Sequence, residues 1–149
     1  MSHSTLQDER TRSPLAALRV ADAMHPGVVS CASDTTLRTV ARMLAAYRIH
    51  AVVVFADHRA ADPGSWSVVS DVDVLRAGRA GDVDRTTAGD AARTPVVLVA
   101  PEDTLEHAAR LMAEEATTHL VVVDPGSERP LGIVSTLDVT RALAGLSDS

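Results

Sequence analysis

The segments VVSDVDV (residues 68–74) and LGIVSTLDV (residues 131–139) decide the fold of this 149-residue chain. Each segment runs from a short apolar strand through a Ser-x-x-Asp junction into a helix. The junction therefore occurs twice, at Ser70 to Asp73 and at Ser135 to Asp138. A pattern that recurs with its surroundings in the same order predicts two copies of one structural unit.

The recurrence extends over most of the chain, at a spacing of 65 to 69 residues. His50 and His119, each followed by a run of valines, match after a one-residue slip. So many matches in one order indicate a true internal repeat. Further matching pairs are Asp22-Ala23 with Asp90-Ala91, Thr36-Leu37 with Thr104-Leu105, and Val69-Ser70 with Val134-Ser135.

Each repeat is predicted to have the order β-α-β-β-α. Its first helix has apolar residues in steps of three and four, and its central strand is continuously apolar, which is typical of a strand buried on both faces. The predicted strands are 28–31, 51–55 and 66–69 in the first repeat and 96–100, 120–123 and 131–134 in the second, with closing helices at 71–80 and 136–146.

The predicted organisation is a flexible N-terminal tail (residues 1–14), a first repeat (15–77), a polar linker (78–86), a second repeat (87–146) and a short C-terminal tail (147–149). A unit of about 60 residues is marginally stable alone. We therefore predict an α+β (α/β-like) fold class, with two β-α-β-β-α repeats packed sheet against sheet about a pseudo-two-fold axis. Such an axis creates two clefts, which are natural ligand sites.

The amino-acid composition and the net charge argue against several classes of function. The 46% hydrophobic and 23% charged residues are typical of a globular protein. A formal net charge of −6 argues against a nucleic-acid partner, which requires a dense basic face. Apolar runs are far shorter than the roughly 20 residues of a membrane span, and no secretory signal is recognisable. The sequence therefore predicts a cytoplasmic protein without membrane association, in which the single cysteine, Cys31, is a small core residue.

The repeated set of motifs resembles the tandem CBS-domain pair, or Bateman module, over about residues 18–146. Besides the two junctions, the segments VADAM (20–24), IHAVVV (49–54) and THLVVVD (118–124) carry the likeness. CBS pairs are regulatory modules rather than enzymes. The resemblance implies an adenosine-containing ligand (AMP, ADP, ATP or S-adenosylmethionine) in the clefts between repeats, with no required cofactor, and a signal passed to an effector protein. It also implies a homodimer formed through helical faces, for which the alanine-rich faces are candidates (Ala41, Ala45, Ala109 and Ala113).

The resemblance assigns roles to individual residues. The junction aspartates, here Asp73 and Asp138, accept hydrogen bonds from ribose hydroxyls, and a carboxylate can take both hydroxyls at once. Ser70 and Ser135 are expected near ribose or phosphate at a helix start, where unpaired N–H groups favour anions. The adenine is expected against Ile49, His50 and Ala51 in the site of Ser135 and Asp138, against Thr118, His119 and Leu120 in the site of Ser70 and Asp73, and along the lead-in residues Ala23 and Ala91.

Departures from the family pattern make the two predicted sites unequal. Ser67 stands where the second repeat has the family's junction glycine, Gly132. Asp71 directly follows Ser70 and places a second carboxylate beside any phosphate, which disfavours binding of an anion. We therefore expect the Asp138 site to be the main ligand site, and the Asp73 site to take an uncharged adenosyl ligand or to stay empty.

Other interpretations stay open. Ser-x-x-acid before an apolar helix is also a capping box, so the chain is alternatively a ligand-free structural or dimerisation module. His50 and His119 are equally explained as partly buried histidines bonded to backbone carbonyls. The six histidines lack HxxxH and HExxH spacing, so no metal site is predicted. No GxSxG turn, GxGxxG or GxxxxGK[ST] loop is present, and no catalytic residues are predicted.

Overall fold

The structure, a computed structural model, describes residues 14–56, 66–94 and 96–145. Most of the two predicted tails, and most of the segment between the predicted strands 51–55 and 66–69, lie outside these residues. The order β-α-β-β-α occurs twice, so the predicted mixed α+β repeat is confirmed. Each copy follows a short lead-in helix, and the first lead-in also has a 3-10 helix (Pro14–Ala17) before it and a two-residue strand after it. The elements are α1 (Val20–Ala23), β1 (His25–Pro26), β2 (Ser30–Ala32), α2 (Leu37–Tyr47), β3 (Ala51–Phe55), β4 (Trp66–Ser70), α3 (Asp71–Ala80), α4 (Ala88–Ala91), β5 (Leu98–Val99), α5 (Leu105–Glu114), β6 (His119–Val123), β7 (Pro130–Ser135) and α6 (Thr136–Leu143).

The predicted element boundaries differ from the observed ones mainly at short strands. Strand β3 and helix α3 have their predicted ends, whereas α6 ends at Leu143, three residues earlier than predicted. The strand predicted at 28–31 is shorter and shifted towards the C-terminus, as β2, and the strand predicted at 96–100 is reduced to two residues within that range, as β5. Each pairs only with the central strand beside it, so the length of that pairing sets its extent.

Residues 28–96 form one compact unit around a three-stranded sheet in the order β2-β3-β4. Strand β2 is parallel to β3, and β4 is antiparallel to it. The central strand is buried from Ala51 to Val54, which explains its unbroken apolar sequence. Helix α2 buries Leu37, Val40 and Leu44, which follow the predicted spacing of three and four residues.

The other compact unit consists of the residues up to 27 together with those from 97 onward. Its sheet has the order β1-β7-β6-β5, in which the central strand β6 is buried along its whole length. Helix α5 contributes Leu105, Ala108 and Met112 to the core of this unit. The same helical periodicity and the same strand order therefore build both cores.

Each lead-in segment packs on the repeat that it does not directly precede. The first segment, with α1, packs on the second repeat, and the second segment, with α4, packs on the first repeat. Val20 of α1 is fully buried in the unit with α5, and its amide donates to Asp103 O over 2.8 Å. Ala88 of α4 is buried against α2 and β3, and its amide donates to Thr35 O over 2.7 Å. The compact units therefore cut across the sequence repeats. Residues 78–86, predicted as a linker, include the last turn of α3.

Threonine side chains begin the first helix of each repeat. Thr36 Oγ1 accepts from the Thr39 amide at 3.3 Å, and Thr104 Oγ1 accepts from the His107 amide at 3.1 Å. Each cap satisfies one of the N–H groups that lack a partner at a helix N-terminus. No helix in the described ranges is long and apolar enough to cross a membrane.

The strand registers correct the predicted equivalence of His50 and His119. Ala51 pairs with Ser70 and His119 pairs with Ser135, so the counterpart of His119 is Ala51. The predicted one-residue slip is therefore wrong. His119 lies in the buried strand β6, whereas His50 precedes β3 and is exposed. The sequence match was misleading because a histidine precedes the valines in both segments. The strand pairing shows that the two histidines stand at positions one residue apart.

Gly132 in β7 is required by the close approach of β1. A Cβ on Gly132 would lie only 2.3 Å from the backbone oxygen of His25, a distance no side chain tolerates. The equivalent residue of the other unit is Ser67, because Gly132 pairs with Val122 and Ser67 pairs with Val54. There the matching contact is only an isolated bridge between Val68 and Thr94. Because no strand of the described residues is paired closely there, the first repeat does not require a glycine at the position of Ser67.

Candidate functional site

The Ser135–Asp138 junction forms a capping box at the start of α6. The Ser135 amide and Oγ donate to Asp138 Oδ2 at 2.7 and 2.9 Å, and the Asp138 amide donates back to Ser135 Oγ at 3.3 Å. The Asp138 side chain is only 1% exposed. The sequence predicted this cap, and the structure fixes one carboxylate oxygen within it.

The second oxygen of Asp138 faces a histidine that sequence analysis did not single out. His25 Nε2 lies 2.9 Å from Asp138 Oδ1. His25 belongs to β1, and its pairing with Ile133 in β7 holds it beside the start of α6. Its side chain is 65% exposed, so the contact joins a buried carboxylate to a solvent-accessible imidazole.

The Ser70–Asp73 junction has the same capping box with a more extensive set of partners. The Ser70 amide donates to Asp73 Oδ2 at 2.9 Å. Thr94 Oγ1 donates to the same oxygen at 2.7 Å and lies 2.8 Å from Ser70 Oγ. Arg76 Nη1 donates to Asp73 Oδ1 at 3.1 Å. Both oxygens of this buried carboxylate are thus engaged by polar groups of its own unit.

Thr94→Val is expected to lower the free energy of unfolding by about 1–2 kcal/mol, because a buried carboxylate loses a hydroxyl donor. Chemical denaturation monitored by circular dichroism measures the change. Thr140→Val is the matched control, since the Thr140 hydroxyl donates to Thr136 O on an exposed surface. We expect that control to shift stability by less than about 0.5 kcal/mol. Equal effects of the two substitutions would show that Thr94 does not support Asp73.

The residues before the central strands are placed differently in the two units. In the unit of residues 28–96, Ile49 is half-buried, His50 is exposed and Ala51 is buried. His50 Nδ1 lies 2.9 Å from Asp71 Oδ2, so the carboxylate predicted to repel a phosphate has a basic neighbour. In the other unit Thr118 is exposed, whereas His119 and Leu120 are buried.

The structure brings the predicted site residues together in two groups, one in each unit. Ala23 packs against the same core as α5 and β6, and Ala91 belongs to the core around β3. The predicted completion of each site by residues of the other repeat stays a prediction. One group contains Ala23, Thr118, His119, Leu120, Ser135 and Asp138, and the other contains Ile49, His50, Ala51, Ser70, Asp73 and Ala91.

Cys31 behaves as the core residue that the sequence predicted. It packs against the core of its unit, and burial raises the pKa of its thiol above the ordinary value, although a hydrogen bond to Thr35 acts in the opposite direction. A thiol with a raised pKa is a poor nucleophile at neutral pH. Among the residues that the structure describes, no group of three or more potential ligands is arranged to hold a metal ion.

The comparison with protein families gives a clear result. A model of the CBS domain matches residues 20–79 and again residues 88–145. The chain belongs to the CBS domain family. A comparison with curated protein sequences found no significant match.

Solved structures of CBS domains share the fold. The CBS domain pair of protein MJ0100, in complex with 5′-methylthioadenosine and S-adenosyl-L-methionine, is 19% identical with a TM-score of 0.72, over 85% of this chain and 96% of that one. CBSX2 in complex with AMP is 24% identical with a TM-score of 0.69, over 87% and 98%. The hexameric CBS-CP12 protein from bloom-forming cyanobacteria is 23% identical with a TM-score of 0.70, over 83% and 70%. These likenesses establish the CBS-pair fold and not a ligand.

Among the described residues, three side chains contact the junction aspartates of this CBS pair from outside the capping boxes, and the sequence did not predict these contacts. Arg76 follows Asp73 by three residues, a spacing that brings two side chains together on one helix face. His25 and Thr94 each follow a recurring Asp-Ala pair of the lead-in segments. That recurrence was a usable signal, but only the strand pairing reveals that both residues reach a junction.

Proposed function

We propose that this CBS pair is a non-catalytic regulatory module that binds an adenosine-containing ligand at the Ser135–Asp138 junction and signals to a partner protein. One observation carries the proposal. Asp138 is a buried carboxylate whose Oδ2 is fixed by Ser135, while its Oδ1 is contacted by a ring that is largely exposed to solvent. A carboxylate oriented in this way accepts ribose hydroxyls without reorganising its backbone.

Known complexes with the same fold support the class of ligand. The MJ0100 pair holds 5′-methylthioadenosine and S-adenosyl-L-methionine, and CBSX2 holds AMP. These ligands share adenine and ribose and differ at the 5′ position. We therefore propose that this chain binds the shared adenosine portion. The unfolding panel described below distinguishes ligands with different 5′ substituents.

The two junctions are unequal in their access to a ligand. Asp73 accepts hydrogen bonds from Arg76 at Oδ1 and from Thr94 at Oδ2, whereas Asp138 Oδ1 accepts none from the described residues and has only the exposed ring of His25 beside it. Releasing polar groups from a buried carboxylate costs free energy. This difference supports Asp138 as the main site. The residues proposed to face the ligand around the two junctions are Ala23, Ile49, His50, Ala51, Ala91, Thr118, His119 and Leu120.

A ligand-free dimerisation module is the second candidate. Its support is the exposed apolar side chains on the closing helices, Val72 and Leu75 on α3 and Leu137 and Leu143 on α6. Such residues are typical of surfaces that become covered in an assembly. In this candidate both junction aspartates serve only as helix caps.

A thermal-unfolding panel tests the proposal. The ligands are AMP, ADP, ATP, S-adenosylmethionine and NAD, with GTP as the control. A ligand that binds only the folded protein at a hundredfold excess over its Kd stabilises it by about 2.7 kcal/mol. We expect a selective rise in Tm with one or more adenosyl compounds and none with GTP. No rise at millimolar concentrations would favour the dimerisation module.

A further inference from the structure

We infer that Arg76 keeps the Asp73 junction closed to an adenosine ligand, because its guanidinium binds the carboxylate oxygen that a ribose hydroxyl needs. Removal of the guanidinium then opens this junction as a second adenosine site. This inference rests on the proposed function, in which the equivalent aspartate, Asp138, accepts the ribose hydroxyls. It makes Arg76 a specificity-determining residue, which sets how many of the two junctions take a ligand.

One oxygen of each junction carboxylate is held by the capping box. Ser135 donates to Asp138 Oδ2 through its amide and its hydroxyl, at 2.7 and 2.9 Å. Ser70 donates to Asp73 Oδ2 in the same way, at 2.9 and 3.3 Å, and Thr94 Oγ1 donates to that oxygen as well. These bonds fix the start of each helix. In both junctions, therefore, the oxygen left for a ligand is Oδ1.

The two Oδ1 atoms differ in their hydrogen bonds. Arg76 Nη1 donates to Asp73 Oδ1 at 3.1 Å, whereas Asp138 Oδ1 accepts no hydrogen bond from the residues that the structure describes. Both carboxylates are buried, with side-chain exposures of 3% for Asp73 and 1% for Asp138. A hydroxyl that donates to Asp73 Oδ1 must displace a charge-assisted hydrogen bond, which is about twice as strong as a neutral one. At Asp138 no such bond has to be broken.

Strand pairing distinguishes the two junctions although their sequence spacing is the same. Arg141 follows Asp138 by three residues, as Arg76 follows Asp73. Beside Asp138, strand β1 pairs with β7 and places the ring of His25 2.9 Å from Oδ1. In the other unit the described sheet ends at β4, and the guanidinium of Arg76 takes the place beside Oδ1. The ring is 65% exposed and makes no hydrogen bond to Oδ1, so a ligand displaces it more easily than the guanidinium.

Arg76 closes the junction from the surface and not as part of the core. Its side chain is 57% exposed, and it lies three residues after Asp73 on α3, a spacing at which side chains of one helix face meet. Without the guanidinium, Ser70 and Thr94 still hold Asp73 through Oδ2. Substitution of Arg76 is therefore expected to change access to the carboxylate and to leave the capping box in place.

Titration calorimetry with adenosine tests the inference in a protein whose Asp138 site is disabled. Adenosine carries no phosphate, so loss of an arginine does not remove an attraction for the ligand. In the whole chain carrying Asp138→Ala, we expect the further substitution Arg76→Ala to raise the adenosine affinity by about five- to tenfold. This factor lies between those of an exposed ion pair and a buried charged hydrogen bond, because only the carboxylate is buried. Arg79→Ala, which removes another exposed arginine of α3, is the matched control and should leave the affinity unchanged.

Ionic strength provides a second readout. Salt screens an ion pair whose cation is exposed, whereas adenosine itself is uncharged. Between about 0.05 M and about 0.5 M NaCl, the adenosine affinity of Asp138→Ala should therefore rise by about twofold. The variant that also carries Arg76→Ala has no guanidinium to release, so its affinity should not rise. Equal salt dependence of the two proteins would overturn the inference.

The measurements separate failure of the inference from failure of the proposed function. If Arg76→Ala does not raise the affinity of Asp138→Ala, while the unsubstituted protein binds adenosine through Asp138, the inference is overturned and the proposed function stands. If no variant binds adenosine or any other adenosyl compound, the proposed function is overturned, and the inference with it.

Circular dichroism establishes that each variant is folded. Arg76→Met takes the place of Arg76→Ala if the alanine variant unfolds, because methionine is also a good helix former and keeps a long aliphatic side chain without a donor. Unfolding of both variants would show that Arg76 is needed for the fold itself, which overturns the inference.

Discussion

Asp138→Ala is expected to lower the affinity for the adenosyl ligand found in the unfolding panel by about 30-fold or more. This loss corresponds to about 2 kcal/mol, the typical contribution of a hydrogen bond to a charged group. The substitution removes the acceptor proposed for the ribose hydroxyls. It also removes the side chain that accepts from the Ser135 amide and hydroxyl. Titration calorimetry measures the affinity, and circular dichroism establishes that the protein is folded.

Thr104→Ala is the matched control for Asp138→Ala. Thr104 also caps a helix of the same unit, through its bond from the His107 amide, but it has no proposed role in binding. Each substitution should lower the free energy of unfolding by about 0.5–2 kcal/mol, the usual effect of losing a cap. Only Asp138→Ala should change the affinity. If the two variants bind equally well, Asp138 is a helix cap and the ligand lies elsewhere.

Gly132→Ala is expected to lower the free energy of unfolding by about 1–3 kcal/mol, the range for forcing extra volume into a close-packed site. The added Cβ would meet the His25 backbone oxygen at 2.3 Å and the His25 carbonyl carbon at 3.3 Å. Backbone atoms cannot rotate away as a flexible side chain does. Strand β1 must then separate from β7, which also withdraws His25 from Asp138.

Gly78→Ala is the control for the effect of a new methyl group. Gly78 lies in α3, and a Cβ there would have no neighbour within 4 Å. Alanine in an exposed helix is more stable than glycine by about 0.5–1 kcal/mol, so this variant should unfold at a higher denaturant concentration. If Gly132→Ala is as stable as the unsubstituted protein, β1 does not lie against β7 in solution.

Local sequence pattern was sufficient to predict the elements that form each core. The apolar run from Ala51 to Phe55 predicted β3 because a central strand is buried on both faces. The Ser-x-x-Asp spacing predicted the starts of α3 and α6, because a capping box depends only on residues within one turn. These features are decided over a few residues, so the sequence displays them directly.

Features decided by distant pairing were not predictable in the same way. Strand β1 has only two residues, too few to display an alternating pattern, and its partner is more than 100 residues away along the chain. The contact of His25 with Asp138 follows from that pairing. The equivalence of the two histidines failed for the same reason, because register depends on which residues face each other across the sheet.

The division of the chain between the two units has a consequence for the order in which they are completed during synthesis. The unit of residues 28–96 is one continuous stretch, so all of it is translated before any residue from 97 onward. The other unit joins residues before 28 to residues from 97 onward, so its lead-in helix α1 packs mainly on residues that are translated much later. Contacts between such distant residues form slowly, because a long loop must close first. Val20 therefore stays without most of its buried neighbours until the residues from 97 onward have been made.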